Sequence, residues 1–84
     1  MKDYIDYLEN NSNEDLVEWL EEQGVYIEIM LLPEVSFENG IIMYYRWNIY
    51  YKGDFIKEVP LVNKYSRHKL ALRSAVTYAL KNIL

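Results

Sequence analysis

The spacing of hydrophobic residues changes along the chain from helical to alternating and back to helical. Ile5 and Leu8 lie three apart, which predicts a short helix from Asp3 to about Glu9, N-capped by Asp3 and broken by Asn10-Asn11-Ser12. Ser12 caps a second helix, with Asp15 three residues on as a short capping-box partner, and Gly24 supplies a left-handed stop after Gln23. Leu16, Val17, Trp19 and Leu20 form the apolar stripe of this helix, while Glu14, Glu18, Glu21 and Glu22 crowd its other side.

From Val25 the period becomes two. Val25, Ile27, Ile29 and Leu31 alternate with Tyr26, Glu28, Met30 and Leu32, which predicts a strand to about Leu32, with Pro33 either its end or the mark of an irregular edge. Glu38-Asn39-Gly40 predicts a hairpin turn, because Asn-Gly accepts the positive φ angles of a tight reversal. The stretch from Ile41 to Lys52 is rich in β-formers and predicts the main strand, with Ile41, Met43, Tyr45, Trp47, Ile49 and Tyr51 facing a core. Lys52-Gly53-Asp54 makes a second turn, and a third strand from Phe55 to about Val62 carries Pro60, a mark of an edge or an interruption. Ser66 caps a final helix to the C-terminus, with Leu72, Ala75, Val76, Ala79, Leu80 and Ile83 as its buried stripe.

The expected fold is therefore α+β: a three-stranded antiparallel meander in α-β-β-β-α order, with the N-terminal and C-terminal helices on one face. Residues 1–84 form one domain, and the short helix within 1–11 is peripheral to it. A chain that is 51% hydrophobic and 15% aromatic can build a core without staples. It has no cysteine, which excludes disulfides and thiolate chemistry and points to the cytoplasm. No apolar run approaches the roughly 18 residues of a membrane span, and the opening MKDYIDYLEN has acids where a signal peptide needs bases, so no membrane partner is expected.

Charge is divided along the chain. Residues 1–45 hold eleven acids against Lys2 alone, whereas residues 46–84 hold eight bases against Asp54 and Glu58. The two halves either neutralise each other in the fold or leave one pole to steer a charged partner. The net charge of −4 argues against general nucleic-acid binding.

The outward face of the main strand is the first candidate surface. Ile42, Tyr44, Arg46, Tyr50 and Lys52, extended by Tyr26 from the neighbouring strand, combine aromatic rings with cations. Tyrosine favours strands on its own account. The same mixture also characterises protein interfaces, a second copy of the chain included, and base-stacking surfaces. A second candidate is the start of the final helix, where Arg67, His68 and Lys69 occupy a turn whose dipole disfavours cations, with Arg73 one turn on.

The run Ser66-Arg67-His68-Lys69-Leu70-Ala71-Leu72-Arg73-Ser74-Ala75, followed by Ala79-Leu80, resembles the last helix of double-stranded RNA-binding domains, which share the α-β-β-β-α order. The resemblance implies that Arg67, Lys69 and Arg73 would touch phosphates across a major groove. The chain departs from that family where its first long helix, the family's minor-groove reader, carries Glu14, Asp15, Glu18, Glu21 and Glu22. In its compact, acidic, tyrosine-rich make-up it also resembles small proteins of phages and mobile elements. Glu14, Glu18, Glu21 and Glu22 are then a third candidate surface, one that imitates a nucleic-acid backbone.

Catalytic motifs are missing. His68 is the only histidine, so no multi-histidine site can form within one chain, and there is no nucleophile elbow or Gly-rich phosphate loop. Asp15 with Glu18, or Glu18 with Glu22, reads as a wet helix face. The sequence thus predicts a small non-enzymatic interaction module without metal or cofactor, with a protein as partner or a second copy as homodimer. Nucleic-acid binding or nucleic-acid mimicry is the alternative.

Overall fold

A computed structural model describes residues 3–56 and 63–84. The elements are α1 (Tyr4–Asn10), α2 (Asn13–Glu22), β1 (Val25–Ser36), β2 (Gly40–Tyr51), β3 (Asp54–Phe55) and α3 (His68–Tyr78), and the last helix widens into a π-turn over Ala79–Ile83. The strands make one antiparallel sheet in the order β1-β2-β3, and the helices cover one of its faces. This is the α+β, α-β-β-β-α architecture expected from the residue pattern.

Local chemistry accounts for most of the boundaries. Ser12 is extended and its Oγ accepts the Asp15 N–H at 3.2 Å, which satisfies one of the free donors at the start of α2. Gly24 follows in the left-handed region at φ +85. At the other end, Ser66 does not cap α3: the N-cap is Arg67, with no side-chain bond. The delay has a cause in the preceding residue, because Tyr65 is bound to Tyr45 of β2 by two backbone hydrogen bonds of 2.8 and 2.9 Å and is still extended.

β1 runs past Leu32 to Ser36, with Pro33 opposite Met43, so of the two readings of Pro33 the edge is the one found. β1 is the edge strand, and an edge tolerates a proline because one of its sides has no ladder to break. Among the described residues the third strand pairs at Asp54–Phe55, continued by a bond from the Ile56 N–H to the Ile49 carbonyl at 2.9 Å. The rest of its expected range, 57–62 with Pro60, lies outside the described residues. The chain is back beside β2 at residues 63–65. There the Asn63 side chain accepts from the Trp47 N–H at 3.1 Å and donates to the Trp47 carbonyl at 2.8 Å, and Tyr65 pairs with Tyr45. Phe55 faces Tyr50 and Tyr65 faces Tyr45, so the pairing at Tyr65 is five residues out of register with that at Phe55.

In the first hairpin the left-handed residue is Gly40, at φ +72, rather than Asn39, and Ser36 Oγ accepts the N–H groups of Glu38 and Asn39 at 3.3 and 3.4 Å. In the second, Lys52 and Gly53 both have positive φ, 51 and 86, between the paired Tyr51 and Asp54. This is the two-residue primed turn that matches strand twist. Nothing lies within 4 Å of a Cβ built on Gly53. Gly53→Ala should therefore lose only its backbone freedom, about 1–2 kcal/mol, read as a drop in thermal midpoint of several degrees; an unchanged midpoint would show that the turn relaxes.

The core joins Leu16 and Leu20 of α2, Val25 of β1, Trp47 and Ile49 of β2, and Ala71, Ala75, Val76, Ala79 and Leu80 along the last helix. Alanines let that helix lie close to the sheet. Leu72 and Ile83, expected in its buried stripe, are only partly covered, and Ala71 takes a place there. Trp47 sits under the Tyr78 ring at 5.3 Å. α1 buries no residue fully, and Tyr7 leans on Trp19 at 5.4 Å while Ile5 stays exposed.

Ile41 and Met43 correct the expected core: they are 70% and 45% exposed, and Leu31 opposite Tyr45 is also open. Their parity is right, but nothing covers them. Twelve-residue strands reach about 40 Å at ~3.3 Å per residue, whereas the last helix with its π-turn, His68 to Ile83, covers only about 24 Å. The hairpin therefore projects past the helices as an arm, and the long axis of the molecule measures 43 Å.

Candidate functional site

The face of the sheet opposite the helices carries, in cross-strand pairs, Tyr26 with Tyr50, Glu28 with Asn48, Met30 with Arg46, Leu32 with Tyr44 and Glu34 with Ile42. None of its apolar members packs against the core cluster. Among the described residues this face has no second layer, and its side chains are half-covered only by one another.

Three neighbourhoods follow one another along it. At the end near the second turn, Tyr50 meets the edge of Phe55 at 5.5 Å beside the half-exposed Tyr26. In the middle, the Asn48 Nδ2 donates to Glu28 Oε1 at 3.2 Å and to the Met30 sulfur at 3.5 Å. Toward the arm, the Glu34 carboxylate is ion-paired with Lys64 and lies 3.9 Å from Arg46, and the Lys64 ammonium stands 5.4 Å over the Tyr44 ring. These pairs are about 40% exposed and each contributes well under about 1 kcal/mol, so their role is to fix charge positions rather than to hold the fold.

Of the six residues expected to form an interface, Ile42, Tyr44, Arg46, Tyr50 and Tyr26 share this face. Lys52 instead occupies the turn at its end, exposed, with its ammonium 5.2 Å from the Tyr51 ring centre. Lys64 and Glu34 belong to the surface and escaped sequence reasoning. Their signal was an alternation continuing past Pro33 on one strand and resuming at Lys64-Tyr65 on the other.

The basic residues of α3 do not act together. Arg67 and Lys69 are exposed, but the Arg73 guanidinium turns inward and donates to Asn13 Oδ1 at 3.0 Å and to the Leu8 carbonyl at 2.6 Å, tying α3 to the joint between α1 and α2. An open groove of about 590 Å³ lies at this joint, between Leu8, Asn13 and Glu14 on one side and Lys69, Leu72 and Arg73 on the other. His68 sets its ring edgewise on Tyr45 at 5.7 Å. Glu14, Glu18, Glu21 and Glu22 are all exposed along α2, and the ion pairs among the described residues involve none of them.

Among the described residues no three His, Asp or Glu side chains gather as a metal site requires, and no helix is long and apolar enough to cross a membrane. The chain matches no protein-family model, and comparison with curated proteins and with solved structures finds no significant match.

Proposed function

We propose that the protein is a non-enzymatic cytoplasmic module that binds another protein through the outer face of its sheet. The observation that carries this is the second face of the sheet: Tyr26, Tyr44, Tyr50, Met30 and Arg46 stand on a paired ladder with no layer over them among the described residues. Aromatic residues, Met and Arg are the types enriched where proteins meet, and rings fixed by a sheet lose little entropy on binding. Charge balance favours a protein over a polyanion. Glu28 and Glu34 sit among Arg46 and Lys64, so the face is mixed rather than cationic.

A duplex-binding role of the kind the last helix resembles would draw on Arg67 and Lys69 alone, since Arg73 is engaged with Asn13 and Leu8. Mimicry of a nucleic acid would draw on the four exposed glutamates of α2. Capture from a native-host extract separates the three. The immobilised protein should retain a protein partner that withstands nuclease and moderate salt. Tyr44→Ala should weaken that retention about thirtyfold, the loss of one hot spot of about 2 kcal/mol, with the thermal midpoint kept. Retention that vanishes with nuclease, or that Tyr44→Ala and Arg46→Ala leave intact while charge reversal on α2 abolishes it, would remove the outer face from its role.

A further inference from the structure

The homodimer anticipated from the sequence has a better-placed surface than the outer face, on the projecting arm. On the helix side of the sheet, beyond the reach of α3, the arm presents Leu31 and Val35 from β1 and Ile41 and Met43 from β2, with Phe37 fully exposed at the tip. Register makes them contiguous: Val35 faces Ile41, Pro33 faces Met43 and Leu31 faces Tyr45. Among the described residues the β1 and β2 positions on this side of the arm carry no charge.

We propose that two copies of the chain associate through this face, arm against arm and antiparallel about a two-fold axis, so that the tip of each lies over the root of the other. The area is of the right size. Side chains of these types with the exposures found present on the order of 600 Å², the upper end of what a monomer leaves open in one patch. Two such faces covered completely bury roughly 1,200 Å², the lower end of the range of specific interfaces and the most that this contact supplies. A two-fold contact also demands a surface that complements itself. A chargeless face meets its own copy without repulsion, which few other surfaces of a chain with eleven acids in its first 45 residues could do.

Charge at the ends of the arm fits the antiparallel sense. The tip bears Glu38. The root is marked by Tyr45, on which His68 rests at 5.7 Å, so the first turn of α3 with the exposed Arg67 and Lys69 stands beside it. Antiparallel arms bring each tip carboxylate to the other copy's basic turn, and the cations that the helix dipole disfavours there gain an opposite charge. Face-to-face packing is preferred to pairing of the free β1 edges because Pro33 interrupts that edge.

Light scattering and sedimentation equilibrium of the full chain across the micromolar range test this. The wild-type protein should dimerise. Val35→Asp and Ile41→Asp, both at exposed positions, should weaken the dimer at least about thirtyfold with the far-ultraviolet circular dichroism unchanged. Glu38→Lys should weaken it several-fold, and Lys69→Glu in the same chain should restore it. A wild-type chain that stays monomeric overturns the proposal. So does a dimer indifferent to Val35→Asp, or one that Tyr44→Ala dissolves, which would assign self-association to the outer face. Monomers that dock on neutral lipid vesicles through Phe37, or that need Val35 only to hold a different protein, overturn it as well. Because Tyr44 lies on the opposite side of the sheet, loss of the outer-face function leaves this outcome untouched.

Discussion

Trp47→Ala is expected to leave the protein largely unfolded at physiological temperature. Trp47 has no exposed surface and is the largest side chain in the core, packed under the Tyr78 ring and within the cluster that holds Ala75 and Val76 of α3. Emptying such a site costs about 3–5 kcal/mol, the lost transfer of the ring plus a cavity that a packed surround closes only in part. A domain of this size has only roughly 4–12 kcal/mol in total. Guanidinium unfolding followed by the fluorescence of Trp19, which remains as a reporter against Tyr7, should show the midpoint collapsing. Trp47→Phe should do much less damage than its lost volume implies. The Trp47 Nε1 is buried with no hydrogen-bond partner among the described residues, and removing an unpaired donor recovers about 1–3 kcal/mol. Near-equal losses for the two variants would mean that the indole N–H is in fact satisfied in solution, and a Trp47→Ala midpoint close to wild type would deny the ring its central place.

The fold could be read from the chain because its decisive signals are local. Ser12 and Gly24 frame α2 by chemistry acting over three or four residues, and the period of two around Trp47 and Ile49 sets which side of β2 is buried. Parity fixes which way a side chain points, but not whether anything lies above it. Ile41 and Met43 point the same way as Trp47 and yet stay exposed, and only the mismatch between strands of about 40 Å and a last helix of about 24 Å carries that information.

The candidate surface was legible in part for the same reason. Tyr44, Arg46 and Tyr50 follow from alternation within one strand. The partners that set their charge do not, because Glu34 lies past a proline that a central strand would not survive, and Lys64 returns to the sheet after a register change that no local pattern encodes. Arg73 illustrates the limit of residue type: it shares its chemistry with Arg67 and Lys69 but is drawn inward by a carbonyl and an amide on another helix.

The shifted register is held by the Tyr65–Tyr45 backbone bonds and by one side chain, and Asn63→Ala is the second substitution with a large expected effect. Asn63 stands where a strand backbone would, accepting from the Trp47 N–H and donating to the Trp47 carbonyl. Its removal leaves two part-buried backbone groups on the core strand unpaired, at about 1–3 kcal/mol each before water at the edge repairs some of the loss. A net loss of about 2–3 kcal/mol and faster exchange of the Trp47 amide proton are expected. Asn63→Asp separates the two bonds. Its carboxylate can still accept from the N–H, but its second oxygen faces the carbonyl, and only the protonated acid restores a donor there. The folded state therefore raises the pKa of this new carboxyl above its unfolded value. The stability this carboxyl supplies is fully present below about pH 4 and is lost as pH rises through the folded pKa. Urea midpoints of the variant relative to wild type should accordingly improve on acidification, while Asn63→Ala shows no such relative gain. If both variants unfold like the wild type at neutral pH, the amide clamp is not what holds the returning segment to β2.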